Sequence, residues 1–75
     1  MARLPSASGS RVLRALERAG FRLSQVRGSH HYLVKPGVTE LVVVPVHGHR
    51  DLPKGTLRSI LRQAGMTPEQ LAALL

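Results

Sequence analysis

The stretch GSHHYLVKPGVTELVVVPV, residues 28–46, determines the architecture because it holds two strand-like runs joined by a tight turn. Residues 30–35 centre on Tyr-Leu-Val, and residues 41–46 are rich in β-branched valine, which favours extended backbone. Pro36-Gly37 between the two runs is a turn-forming pair. The stretch therefore predicts two neighbouring antiparallel strands.

A mixed run at residues 21–27 precedes this stretch, and Gly28-Ser29 joins it to the next run. A connection of two residues favours antiparallel neighbours. The sequence thus predicts a three-stranded antiparallel meander, in which each strand pairs with the one before it.

Helical patterns flank the strands on both sides. Apolar residues at helical spacing predict helices over roughly residues 9–19 and 56–64, the second closed by Gly65. Thr67-Pro68-Glu69-Gln70 has the pattern of a capping box with proline at the first helical position, and it starts a short apolar helix that continues through residues 71–75. The predicted fold is α+β, in the order αβββα with a short extra C-terminal helix, and its helices pack on one face of the sheet.

Length and composition limit the classes of protein that this chain can represent. Its 75 residues form one small domain, which we place at residues 8–75 behind a flexible leader at residues 1–7. The chain has no cysteine, so disulfides, thiolate nucleophiles, iron–sulfur clusters and zinc sites that need sulfur are excluded. It has no apolar run of membrane-spanning length and no apolar region behind its basic start, so we expect a cytoplasmic protein.

The charge balance predicts a polyanionic partner. Eleven Lys and Arg against four Asp and Glu give a net charge of +7, and arginine matches phosphate geometry better than lysine does. Phe21 and Tyr32 are the only aromatic residues, too few to stack successive bases, so phosphate recognition is favoured over base reading. A basic stripe of Arg11, Arg14 and Arg18 on the first helix is more typical of a solvated face.

Four histidines, at positions 30, 31, 47 and 49, are the most informative chemical groups. A zinc site needs three or four ligands in one place, and the acids are scattered except for Asp51 beside the second histidine pair, so metal binding is disfavoured. Strand alternation with Tyr32 and Val34 in the core predicts that His30 points inward. It places His31 on the open face, in line with Lys35, where an imidazole can meet an anion from solvent.

Such parts suffice for RNA cleavage, in which a base takes the 2′-hydroxyl proton and an acid protonates the leaving 5′-oxygen. Gly28-Ser29 offers a bare backbone and a hydroxyl that suit a phosphate. His47 follows the third strand and approaches His31 if the strands pair as predicted. The sequence contains no Walker-type, dinucleotide-binding or nucleophile-elbow motif.

Several fragments together resemble the HicA family of small toxins, the mRNA interferases of type II toxin–antitoxin pairs. They cover about residues 10–70 and are Leu16-Glu17-x-Ala19-Gly20-Phe21, Arg27-Gly28-Ser29-His30-His31, Val44-Pro45-Val46-His47-Gly48 and the run from Leu52-Pro53-Lys54 to Gly65. The resemblance implies a fold similar to a double-stranded-RNA-binding domain and RNA cleavage that depends on the histidine of a Gly-Ser-x-His motif, here His31. It also implies neutralisation by a HicB-like antitoxin that covers the active surface.

We therefore expect a toxin that cleaves mRNA by histidine acid/base chemistry without a metal or other cofactor. The catalytic residue is His31, with its neighbour His30 as the alternative. The residues expected to bind RNA are Gly28, Ser29, Lys35 and His47. The alternative function is a non-catalytic RNA-binding module of the double-stranded-RNA-binding type, which has no need of a titratable group beside Gly28-Ser29.

Overall fold

A computed structural model describes residues 3–75 of the chain. Its elements are α1 (Gly9–Arg18), β1 (Arg22–Arg27), β2 (His30–Lys35), β3 (Val38–Pro45), α2 (Lys54–Ala64) and α3 (Pro68–Leu74). This order confirms the predicted αβββα layout with its extra C-terminal helix. None of the helices in residues 3–75 is both long and apolar enough to span a membrane.

The three strands form one antiparallel sheet in the order β1-β2-β3, as the meander predicts. β3 begins at Val38, three residues earlier than the valine-rich run indicates, because Val38 pairs with Lys35 directly across the Pro36-Gly37 turn. On the outer edge of β3, the Gln63 side chain of α2 accepts a hydrogen bond of 3.1 Å from the Val43 amide. The sheet edge is therefore tied to the helix layer.

The helices pack on the face of the sheet that carries Leu33, Val42 and Val44, all of them completely buried. The apolar faces of the helices meet this face through side chains such as Leu16 and Ile60. β1, at the edge of the sheet, is exposed throughout.

The structure reverses the predicted facing of β2. Leu33 is completely buried and Val34 is 38% exposed, so Tyr32 and Val34 do not form the inward pair. The prediction was wrong because β2 carries apolar residues on both faces, so alternation alone does not decide which face meets the helices. The register settles the facing, since Leu33 lies opposite Val42, and partners across two strands share a face. His31 is thus on the helix-covered face, and His30 is on the open face.

The segment before α1 contributes to the packing, although the sequence places it in the leader. Ala7 is completely buried, and its carbonyl accepts a hydrogen bond of 2.9 Å from the Leu52 amide. Leu4 packs against the core, and Ser8 forms an isolated bridge with Asp51. These contacts fix the loop between β3 and α2 relative to the start of α1. Met1 and Ala2 of the predicted leader lie outside the described residues.

Candidate functional site

The turn between β1 and β2 brings the residue types predicted for chemistry to one end of the sheet. Gly28 has a φ of +56°, a left-handed conformation that glycine adopts without strain. The Ser29 carbonyl accepts a hydrogen bond of 2.8 Å from the Val46 amide, which joins the turn to the end of β3. His30 and His31 follow immediately as the first residues of β2, so their backbone is held on both sides.

The His31 side chain is half-buried, and one of its ring nitrogens has a hydrogen-bond partner in the backbone. Its Nδ1 lies 3.4 Å from the carbonyl oxygen of Ser29, and its backbone lies opposite Val44 and Val26. With the proton on Nδ1, the ring donates to that carbonyl and keeps the lone pair of Nε2 free. This arrangement suits a side chain that accepts a proton from a bound molecule.

His30 is exposed and lies opposite Arg27 in β1 and Pro45 in β3. Adjacent residues of a strand point to opposite faces, so the two imidazoles do not converge on one phosphate. One of them faces a given substrate group, and the other faces away. The two histidines are therefore separable by mutation.

His47 lies just beyond β3, one residue after the Val46 contact with Ser29, and so at the same end of the sheet. Together with Arg50 and Thr56 it lines a pocket of about 230 Å³. Asp51 contributes a carboxylate to the same pocket, which makes its lining mixed in charge. The structure thus brings His47 to the region of Gly28 and Ser29.

Lys35 is not brought to this end of the sheet. It is the last residue of β2, four residues beyond His31 or roughly 13 Å along an extended strand. Its ammonium lies 5.4 Å from the centroid of the Phe21 ring, a cation–π distance. Lys35 therefore has a packing partner of its own, and it and His31 occupy opposite ends of the strand.

Two arginines at the site were not singled out from the sequence. Arg27 immediately precedes the turn and lies opposite His30, and Arg50 shares the pocket of His47. Both are exposed. The sequence could have pointed to them, because Arg27 is next to Gly28 and Arg50 lies in the loop after His47. Within residues 3–75, no three His, Asp, Glu or Cys side chains are grouped so that they would hold a metal ion.

The chain matches the family model for the HicA toxin of bacterial toxin–antitoxin systems over residues 9–66. The match begins at the first residue of α1 and ends two residues after α2, so it includes the whole sheet and the turn at Gly28. No curated protein matches the chain.

Proposed function

The chain belongs to the HicA toxin family, and on this basis we propose that it is an endoribonuclease that cleaves mRNA with His31 as its acid/base residue. Membership makes it the toxin of a toxin–antitoxin system. The observation that carries the catalytic assignment is the Nδ1 of His31 beside the Ser29 carbonyl, which leaves Nε2 for the substrate.

In the proposed reaction, Nε2 of His31 takes the proton of a ribose 2′-hydroxyl. The 2′-oxygen attacks the neighbouring phosphorus, the bond from phosphorus to the 5′-oxygen breaks, and a 2′,3′-cyclic phosphate forms. His47, at the same end of the sheet, gives a proton to the departing 5′-oxygen. The two steps balance in protons, and neither requires a redox or metal partner.

Charge develops on the phosphate as the 2′-oxygen attacks, and fixed donors at that position lower the barrier. Gly28 lacks a side chain and so admits a phosphate to the backbone of the turn, where Ser29 adds a hydroxyl. Arg27 is the nearest cationic residue along the chain, on the face of His30, so it approaches a phosphate at the turn and not one beside the His31 ring. Lys35 serves as a more distant phosphate contact, because it lies at the other end of β2.

A HicB-like antitoxin is the proposed protein partner. The net charge of +7 favours a partner with an acidic surface, and RNA and antitoxin then compete for the same positive face. Binding of the antitoxin would thus exclude RNA without any change in the toxin fold.

The test compares His31→Ala with His30→Ala in a cleavage assay on unstructured RNA. We expect His31→Ala to lower the cleavage rate by about 10²- to 10⁴-fold, the usual effect of removing a general acid or base. His30→Ala is the matched control because the same side chain is removed one residue away on the opposite face. Circular dichroism of both variants shows whether the fold is retained.

The opposite result, with cleavage lost in His30→Ala and kept in folded His31→Ala, would transfer catalysis to the open face of the sheet. A wild-type protein that binds RNA with no cleavage would instead support the alternative of a non-catalytic RNA-binding module.

A further inference from the structure

A second basic surface lies outside the end of the sheet that holds the histidines. Arg3 from the N-terminal segment meets Lys54 and Arg58 of α2 around a groove of about 500 Å³, and Leu4 and Ser6 complete its lining. We call these five residues the basic groove. Among the described residues that line it, none is acidic. Three cations thus surround one cavity with no carboxylate in its wall.

The fold itself does not favour this clustering of charge. Lys54 and Arg58 are one helical turn apart, and like charges at that spacing destabilise a helix. Lys54 is also the first residue of α2, where the helix dipole disfavours positive charge, and the first turn holds no acidic residue. An anion bound in the groove would relieve both effects.

The groove has a defined shape because the N-terminal segment is attached to α2. The ammonium of Lys54 donates a hydrogen bond of 3.5 Å to the Leu4 carbonyl, and the Ala7 carbonyl accepts one from the Leu52 amide. One side-chain contact of Lys54 and one backbone contact of the loop before α2 therefore hold the N-terminal segment on the side of α2 that carries Arg58. The groove and the His47 pocket are lined by consecutive residues of the chain, Pro53 for the pocket and Lys54 for the groove.

We propose that the basic groove binds the phosphate backbone of the RNA at nucleotides beyond the cleaved bond. This inference rests on the proposed function and extends the RNA path from Ser29, past His47, to the start of α2. Phosphate oxygens match a groove lined by two guanidinium groups and one ammonium group, which suits the repeating charges of an RNA backbone. Arg3 lies before the region that matches the family model, so this contact depends on a segment outside that region.

The test measures binding of a fluorescein-labelled single-stranded RNA whose riboses are 2′-O-methylated, so that the nucleophile is blocked and cleavage does not interfere. The variant Arg3→Gln/Arg58→Gln removes two guanidinium groups from the groove. Its control, Arg14→Gln/Arg22→Gln, removes two exposed guanidinium groups that do not line it. Both variants have the same net charge.

We expect the groove variant to bind RNA about 10-fold more weakly than the wild type at about 0.1 M salt. In a plot of the logarithm of the binding constant against the logarithm of salt concentration, its slope should be shallower by about 1.4, the value for the loss of two single-strand phosphate contacts. The control should bind nearly as tightly as the wild type. Equal losses in both variants, or no loss in the groove variant, would overturn the inference. Unchanged RNA affinity together with weaker binding of a HicB-like antitoxin would also overturn it.

Cleavage of unmodified RNA by the wild type, measured in parallel, tests the proposed function separately. A wild type that binds through the groove but does not cleave would refute the nuclease function and leave the RNA path intact.

Discussion

Gly9 is the residue at which α1 comes closest to the end of β3. A Cβ atom there would lie 3.1 Å from the carbonyl carbon of Pro45 and from Cα of Val46, and closer still to the Pro45 oxygen. Because these are backbone atoms, relief requires a shift of the helix or the strand. We expect Gly9→Ala to lower the free energy of unfolding by about 1–3 kcal/mol, measured by urea denaturation.

Gly55 in α2 is the matched control, because a Cβ there meets nothing within 4 Å. Alanine is also the better helix former, so Gly55→Ala should leave stability unchanged or raise it by up to about 1 kcal/mol. Equal stability of the two variants would show that the contact between α1 and β3 is not tight in solution.

At the same scale, the sequence predicts which residues gather near Gly28 but not which histidine faces which way. Gly28, Ser29, His30 and His31 are neighbours in the chain, so their grouping is local information. The direction in which each histidine points depends on which apolar side chains of β2 pack against the helices. Leu33 is the one that does so, because it pairs with the buried Val42. His30 is exposed as a result, so we expect His30→Ala to change the free energy of unfolding by no more than about 0.5 kcal/mol.

Among the elements, α3 lies beyond the region that matches the family model, yet it closes one side of the core. Leu71 is completely buried, and Leu41 in β3 is 43% exposed. We expect Leu71→Ala to cost about 2–5 kcal/mol of unfolding free energy and Leu41→Ala to cost about 1 kcal/mol or less. Thermal denaturation of the two variants checks this, and similar losses would mean that α3 is not packed as described.

Elements with strong local signals are predicted well, and those that depend on tertiary contacts are not. The start of α3 follows from its capping box, in which Thr67 accepts from the Gln70 amide at 3.1 Å and the Gln70 side chain accepts from the Thr67 amide at 2.9 Å. α2 begins at Lys54, two residues before the predicted start. The prediction started late because Gly55 is a poor helix former, which made residues 54 and 55 resemble a loop. Contacts of Lys54 with the N-terminal segment are formed only in the folded chain.

For the whole molecule, composition predicts the sign of the partner's charge but not the path along which the partner lies. The count of Lys and Arg is visible in the sequence, whereas the meeting of Arg3 with Arg58 requires the chain to return over more than fifty residues. Long-range proximity of this kind leaves no periodic pattern in the sequence. The basic groove is therefore a product of the fold, while the net charge of +7 is a product of composition alone.

The same whole-chain composition bears on how the protein cleaves RNA. Four acidic residues and no cysteine are few ligands for a catalytic metal, so the proposed reaction relies on imidazole and on the 2′-hydroxyl of the substrate. We expect the purified protein to cleave RNA at the same rate with and without excess EDTA and to leave products that end in a 2′,3′-cyclic phosphate. The 2′-O-methylated RNA serves as the control, and it should stay intact because the attacking oxygen is blocked. Loss of activity in EDTA that a divalent cation restores would refute the metal-free reaction. Cleavage of the methylated strand would refute attack by the 2′-oxygen. The two parts of the mechanism are therefore tested independently.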